Sequence, residues 1–343
     1  MFYLTIAMRN FWKKYRKNKL AVVGLWFIGV CFIVSIGGYV FTPDKSTACN
    51  EMQIENDLKK PSYKAWYLKD SVQHTSTLSE LLWKGRKPAN HLFLYDNNGD
   101  TSTLNMLVAQ PLLNKSDIIS KRFRLGTDVF GRDVLSRIIL GTRISLSVGL
   151  ISVLISLFLG ISLGLAAGYF RGWVDAVVMW LINVIWSLPT LLLVIAITFA
   201  LGKGFWQIFI AVGLTMWVEL ARIIRGQVFS LREAEYIQAA KMLGFSNIRI
   251  MFRHILPNCI GPIVVICAAN FASAILLEAG LSYLGLGVQP PFPSWGQMLS
   301  ENADYIALGA PHLALAPGIA IMLLVMSFNF VGNGLRDALD VQL

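Results

Sequence analysis

Charged side chains are scarce in this sequence: Asp, Glu, Lys and Arg supply 15% of 343 residues while hydrophobic types supply 55%, where soluble chains carry about 25% charged residues. The shortfall excludes an ordinary water-soluble globule and makes lipid the solvent. Cysteine is sparse too. Cys31, Cys259 and Cys267 sit in apolar runs and only Cys49 in a polar stretch, so no C-x-x-C pair or external disulfide partner exists and cysteine chemistry is excluded. Three of the four histidines, His74, His91 and His312, fall in segments expected outside the cell, but their spacing matches no zinc-ligand motif. No G-x-x-x-x-G-K-[ST] phosphate loop occurs, so the chain does not cradle ATP by that means. The net charge of +10 is scattered along the loops without a nucleic-acid-binding motif, which argues against nucleic acid as a partner.

What the chain has instead is long apolar runs. Residues 21–41 hold no Asp, Glu, Lys or Arg, and a bilayer core takes roughly 20 such residues as a helix. Comparable runs occupy 145–170, 176–201, 205–217, 259–277 and 313–331, which predicts an all-α, multi-pass membrane protein with about six transmembrane helices. Arg9, Lys13, Lys14, Arg16, Lys17 and Lys19 precede the first run. The positive-inside rule then puts the N-terminus in the cytoplasm, and six crossings put the C-terminus there as well. A cleaved signal peptide is the rival reading, but the run exceeds the usual h-region of about 7–15 residues and no A-x-A site follows it.

The expected plan is a basic cytoplasmic N-terminus at 1–19, a first transmembrane helix at 20–41, an extracytoplasmic insertion at 42–121, and a core with five transmembrane helices at 122–343. In the insertion, the stretch 91–104 around Asn98 and Gly99 reads as a hairpin. Residues 123–143, polar and punctuated by glycine, predict an interfacial turn and a short helix before the second span. Gly149, Gly160, Gly164 and Gly168 lie at or near small-x-x-x-small spacing, which suits close helix contact. Pro189 interrupts the third run, as a packing kink or a hinge. Asp175, Glu219 and Glu278 lie at or inside span ends, where carboxylates are functional candidates by default. Glu219, three residues before Arg222, reads as half of a helix-face ion pair, and Glu278 as lining an external mouth or bracing the turn at Gly285 and Gly287.

The most informative segment is polar. Residues 233–258 are too hydrophilic to span, helical in propensity up to Gly244, and predict a helix ended by that glycine. A second short helix from about Asn247 to Ile255 should stop near Pro257, giving a helix-turn-helix on the cytoplasmic side.

This segment resembles the EAA loop of ATP-binding-cassette importer permeases, in Gln238, Ala239, Ala240, Gly244 and the following Leu256 and Pro257. Gln238 stands where the usual residue is Glu. The sequence FRHILPN at 252–258 resembles the C-type permease subunits of oligopeptide and dipeptide importers. Further similar stretches are LGTDVFGRD at 125–133, ARIIRGQ at 221–227, LSYLGLG at 281–287, PSWG at 293–296 and GLRDALD at 334–340. The insertion lies outside the resemblance.

The resemblance implies a transport subunit rather than an enzyme, in a bacterial inner membrane, moving di- or oligopeptides by alternating access. Nickel complexes and antimicrobial peptides are alternative cargoes of similar systems. It implies a second homologous permease, two ATP-binding-cassette ATPase subunits that hold the ATP and magnesium, and an external substrate-binding protein. Glu235, Gln238, Ala239, Ala240, Gly244, Leu256 and Pro257 would then couple this chain to the ATPases, with both alanines allowing close approach. A secondary transporter or channel is the rival class; it predicts a midplane ion relay or inverted repeats, and neither is visible.

Overall fold

The computed structural model describes residues 11–339 apart from 69–79, 82, 85–86, 89–90, 96–100, 106–117 and 203–204. Two compact units emerge. The first, built from residues up to Thr42, Ile138–Ala303 and Ala314 onward, is helical. In chain order its elements are α1 (Lys19–Ile36), α2 (Val134–Phe170), α3 (Gly172–Trp186), α4 (Thr190–Leu201), α5 (Phe205–Leu231), α6 (Glu235–Met242), α7 (Asn247–Tyr283), α8 (Trp295–Asn302) and α9 (His312–Leu339). Helices α1, α2, α5, α7 and α9 are long and apolar enough to cross a bilayer. Helices α3 and α4 make a sixth crossing if they form one bent span, their axes turning by 96° at the break. With 15 and 12 residues, neither alone reaches across about 30 Å of hydrocarbon. Pro189 stands at that break and caps α4 with no side-chain hydrogen bond.

Lipid as solvent explains why Trp26, Ile33 and Ile36 of α1 are exposed while Ala21, Gly24, Ile28 and Cys31 are buried. The buried set recurs every three or four residues, one helical face. At Gly24 a Cβ would lie 2.7 Å from the Ser327 carbonyl of α9, so the two backbones touch. Arg143 of α2 donates to the Ser35 and Ile36 carbonyls at 2.9 and 3.1 Å, satisfying groups that the end of α1 leaves bare. The glycine stripe of α2 works the same way. Added Cβ atoms at Gly160, Gly164 and Gly168 would meet Leu220, Ala221 and Val228 of α5 at 2.7–2.8 Å, while Gly149 faces the Phe271 ring of α7.

Two sequence expectations are corrected. Helix α2 runs unbroken for 37 residues from Val134, with no separate short helix before the span. Asp133 accepts from the Ser136 N–H at 3.1 Å and so starts the helix there, and the apolar residues after Ser136 carry it on. Pro257 likewise does not stop its helix. Residues Met251–Ile255 form one π-turn, in which the Leu256 N–H donates to the Met251 carbonyl, five residues back. This wider turn takes in a residue that lacks an N–H, and α7 continues to Tyr283.

The second unit comprises Pro43–Arg137 and Asp304–Leu313. Strand β1 (Tyr63–Leu68) lies between β2 (Glu80–Leu81) and β7 (Ile118–Phe123), all antiparallel, with Tyr63 opposite Phe123. Strands β3 (Trp83–Lys84) and β4 (Lys87–Pro88) pair, as do β5 (His91–Tyr95) and β6 (Thr101–Asn105). The last pair is the expected hairpin, whose turn around Asn98 and Gly99 lies outside the described residues. The motif at 125–133 forms a buried knot: Asp128 accepts from Arg132 Nε and Arg137 Nη1, both at 2.7 Å, and from the backbone N–H of Phe130 and Arg132. Removing one partner of such a buried set costs about 3–5 kcal/mol.

Candidate functional site

Residues 233–258 form a projection whose base is continuous with the long helices. Helix α6 is eight residues long and ends in a Schellman arrangement, the Gly244 N–H on the Lys241 carbonyl at 2.9 Å and the Phe245 N–H on the Ala240 carbonyl at 3.2 Å. Gly244 has φ +76°, which a residue with a Cβ adopts at a cost of about 1–2 kcal/mol. Ser246 then caps the start of α7 on the Arg249 N–H.

Two faces result. Inward, Ile237 and Ala240 of α6 and Ile250, Met251 and Ile255 of α7 join Leu165 and Tyr169 of α2 and Leu220, Ile224 and Val228 of α5 in one buried cluster. Outward, Tyr236, Met242, Leu243, Ile248 and Phe252 are exposed, Met242 at 89%. Glu235, Ala239, Gly244 and Pro257 share the exposed side, while Gln238 and Leu256 are half-buried. The two alanines thus differ: Ala239 is free to approach another molecule, and Ala240 is held in the cluster.

Gln238 uses its amide. Its Nε2 donates to the Arg232 carbonyl at 3.1 Å, just beyond the end of α5; a Glu carboxylate there has no proton to donate. His254 stacks on Phe245 with centroids 5.9 Å apart, and Arg249 lies over the same ring at 4.3 Å. Asn258 Nδ2 donates to the Tyr236 hydroxyl at 3.3 Å, tying α7 back to α6.

Sequence reasoning missed Tyr169, the second-last residue of α2. It donates its hydroxyl to Asn247 Oδ1 at 2.8 Å, and Arg232 and Lys241 lie over its ring at 5.7 and 5.6 Å. Burial, reinforced by repulsion from Arg232, lowers the Lys241 pKa below its ordinary value. Arg171, which follows α2, pairs with Glu233 at 2.6 Å. One aromatic side chain therefore joins the ends of α2 and α5 to both helices of the projection. Its only sequence signal is its place at the end of an apolar run, where aromatics are common.

The intramembrane carboxylates divide. Asp175 grips Arg225 with both oxygens. Glu278 is fully buried and accepts from Ser282 at 2.8 Å, and Ser282 packs directly under Gly287 and Gly296, which fits the bracing role. The expected pairing of Glu219 with Arg222 does not form: Arg222 lies over the Trp186 ring at 4.5 Å instead. Among the described residues no three His, Cys, Asp or Glu side chains converge as metal ligands; His74 and the side chain of His91 lie outside them.

Comparison with known proteins places this architecture. The family model described as "Binding-protein-dependent transport system inner membrane component" matches residues 160–342, and "N-terminal TM domain of oligopeptide transport permease C" matches 7–61. The chain is 36% identical over 332 residues to the dipeptide transport system permease protein DppC of Alkalihalophilus pseudofirmus, covering 97% of this chain and 89% of that one. It is 44% identical over 219 residues to the glutathione transport system permease protein GsiD of Pectobacterium atrosepticum, covering 64% of this chain and 72% of that one. Among solved structures, a chain of the MetNI methionine ABC transporter in an inward-facing conformation aligns over 57% of this chain and 93% of its own, with TM-score 0.47 and 18% identity.

Proposed function

Because the chain belongs to the binding-protein-dependent transport system inner membrane component family of ATP-binding-cassette importer permeases, we propose that it is the C-type permease subunit of an importer for short peptides. The near full-length match to a dipeptide permease carries the cargo class. The exposed apolar ridge of Tyr236, Met242, Leu243, Ile248 and Phe252 on a rigid base carries the coupling role. Such a ridge on a polar projection is a protein-docking surface, and its occupant is an ATPase subunit that binds and hydrolyses ATP with magnesium. A second permease completes the passage, and a binding protein delivers the peptide from outside. The chain sits in a bacterial cytoplasmic membrane with both ends inside and Pro43–Arg137 outside.

ATP-driven closure of the ATPases pulls on α6. Ile237, Ala240 and Tyr169 pass that movement to α2, α5 and α7, a rigid-body change between two packings. Purification of the tagged chain from cells expressing all subunits is expected to bring down an ATPase subunit whose hydrolysis a peptide-loaded binding protein stimulates. Absence of any ATPase in the purified material refutes the importer reading. Replacing Gly244 by Leu is expected to leave hydrolysis but sever it from peptide uptake.

A further inference from the structure

The membrane unit contains a cavity of about 380 Å³ lined in part by Trp186, Thr190, Thr215, Glu219, Asn270 and Ser273, within the size range of small-ligand pockets. Its walls come from the break between α3 and α4 and from α5 and α7. Glu219 lies near the middle of α5 and Asn270 near the middle of α7, far from the ends of those two helices, while Thr190 opens α4 at the break.

The charges around it are arranged unusually. Of the two arginines that follow Glu219 on α5, Arg225 is held by Asp175, and Arg222 lies over the ring of Trp186, at the cavity wall, without pairing with Glu219. Among the described residues Glu219 has no ion pair, and its side chain is exposed. Asn270 is buried, and its Nδ2 donates to Ser156 Oγ at 3.3 Å and to the Met216 carbonyl at 3.4 Å. Its donors are thus committed to holding α2, α5 and α7 together, and what it can offer a guest is an acceptor oxygen. A carboxylate and an amide oxygen beside hydroxyls, with no Lys or Arg among the described residues that line the cavity and Arg222 turned onto the Trp186 ring, form a surface for a donor-rich cation. A carboxylate without an ion pair on a membrane-spanning helix is costly unless it meets water, a pathway or a counter-charge.

We propose that this cavity is a station on the transport path, where Glu219 receives a primary ammonium group, the protonated amino end of the peptide. The assignment rests on the peptide reading. Asn270 is a positioning residue that holds the cavity open between three helices.

Two measurements test it in the assembled transporter in proteoliposomes. In the first, Glu219→Gln keeps the shape and removes the charge, and is expected to lower dialanine uptake per ATP hydrolysed about tenfold, since an ionic hydrogen bond is lost. Glu219→Asp is expected to restore most of it. Wild-type uptake by Glu219→Gln, or failure of that variant to assemble with the second permease, overturns the proposal. The second does not depend on cargo. A cysteine introduced by Ser273→Cys is expected to react several-fold faster with a cationic than with an anionic methanethiosulfonate, measured against the native cysteines, and adding Glu219→Gln is expected to abolish the preference. Equal rates with Glu219 present overturn the proposal whatever the first result. If the wild-type transporter carries no peptide while the cation preference holds, the peptide reading falls and the cation site stands.

Discussion

At the scale of single residues, the structure separates side chains that the sequence presents as equivalent. Ala239 and Ala240 are neighbours in one motif, yet only Ala240 lies in the buried cluster. Ala240→Leu is expected to destabilise the protein by about 1–3 kcal/mol through overpacking, read as a fall in thermal unfolding temperature in detergent. Ala239→Leu should leave that temperature unchanged and weaken retention of the ATPase subunit on a column. Lys241 gives a pH dependence. Its pKa is lowered on folding, so between that value and the ordinary 10.5 the unfolded chain binds more protons. Stability therefore rises with pH through that window, and hydrogen exchange of residues 233–258 should slow relative to a Lys241→Met variant over the same range. The glycine turn was readable because it obeys a local rule, positive φ after a helix. Which alanine faces inward was not, because that depends on the phase of α6 against helices distant in sequence. Glu219 and Arg222 mislead for a related reason: three-residue spacing permits an ion pair, but an aromatic ring from α3 competes for the guanidinium.

At the scale of elements, the apolar runs located every long helix, while their ends and breaks were set by polar residues that hydropathy ignores. Asp133 starts α2 eleven residues before the second apolar run, and a single π-turn carries α7 through Pro257. The spacing of Gly160, Gly164 and Gly168 signalled close contact, and α5 is the partner it could not name. One link from α2 to the projection is a Tyr169–Asn247 hydrogen bond. Tyr169→Phe and Asn247→Ala are each expected to cost about 0.5–1.5 kcal/mol, and the double variant no more than the larger single effect. A double-mutant cycle by denaturant unfolding measures this; fully additive costs would show that the two side chains act separately.

At the scale of the whole molecule, the number of crossings turns on α3 and α4. As one bent span they bring the count to six and both chain ends to the same side; as a re-entrant pair they leave five and put the ends on opposite sides. Six is expected, so cysteines at Lys14 and Asp337 should both resist a membrane-impermeant maleimide added outside whole cells, while one at Lys45 reacts. The transport class was legible because its motifs are short and local; the cavity was not, since its lining comes from four helices. The outward ridge on α6 and the start of α7 has a further consequence for a copy of this chain made in excess. Without the ATPase subunit proposed to cover it, the ridge presents Met242 and Leu243 bare to water, the kind of surface that chaperones and proteases engage. Subunit stoichiometry would then be enforced after synthesis: surplus chains are cleared, and their survival tracks the supply of the partner that covers them.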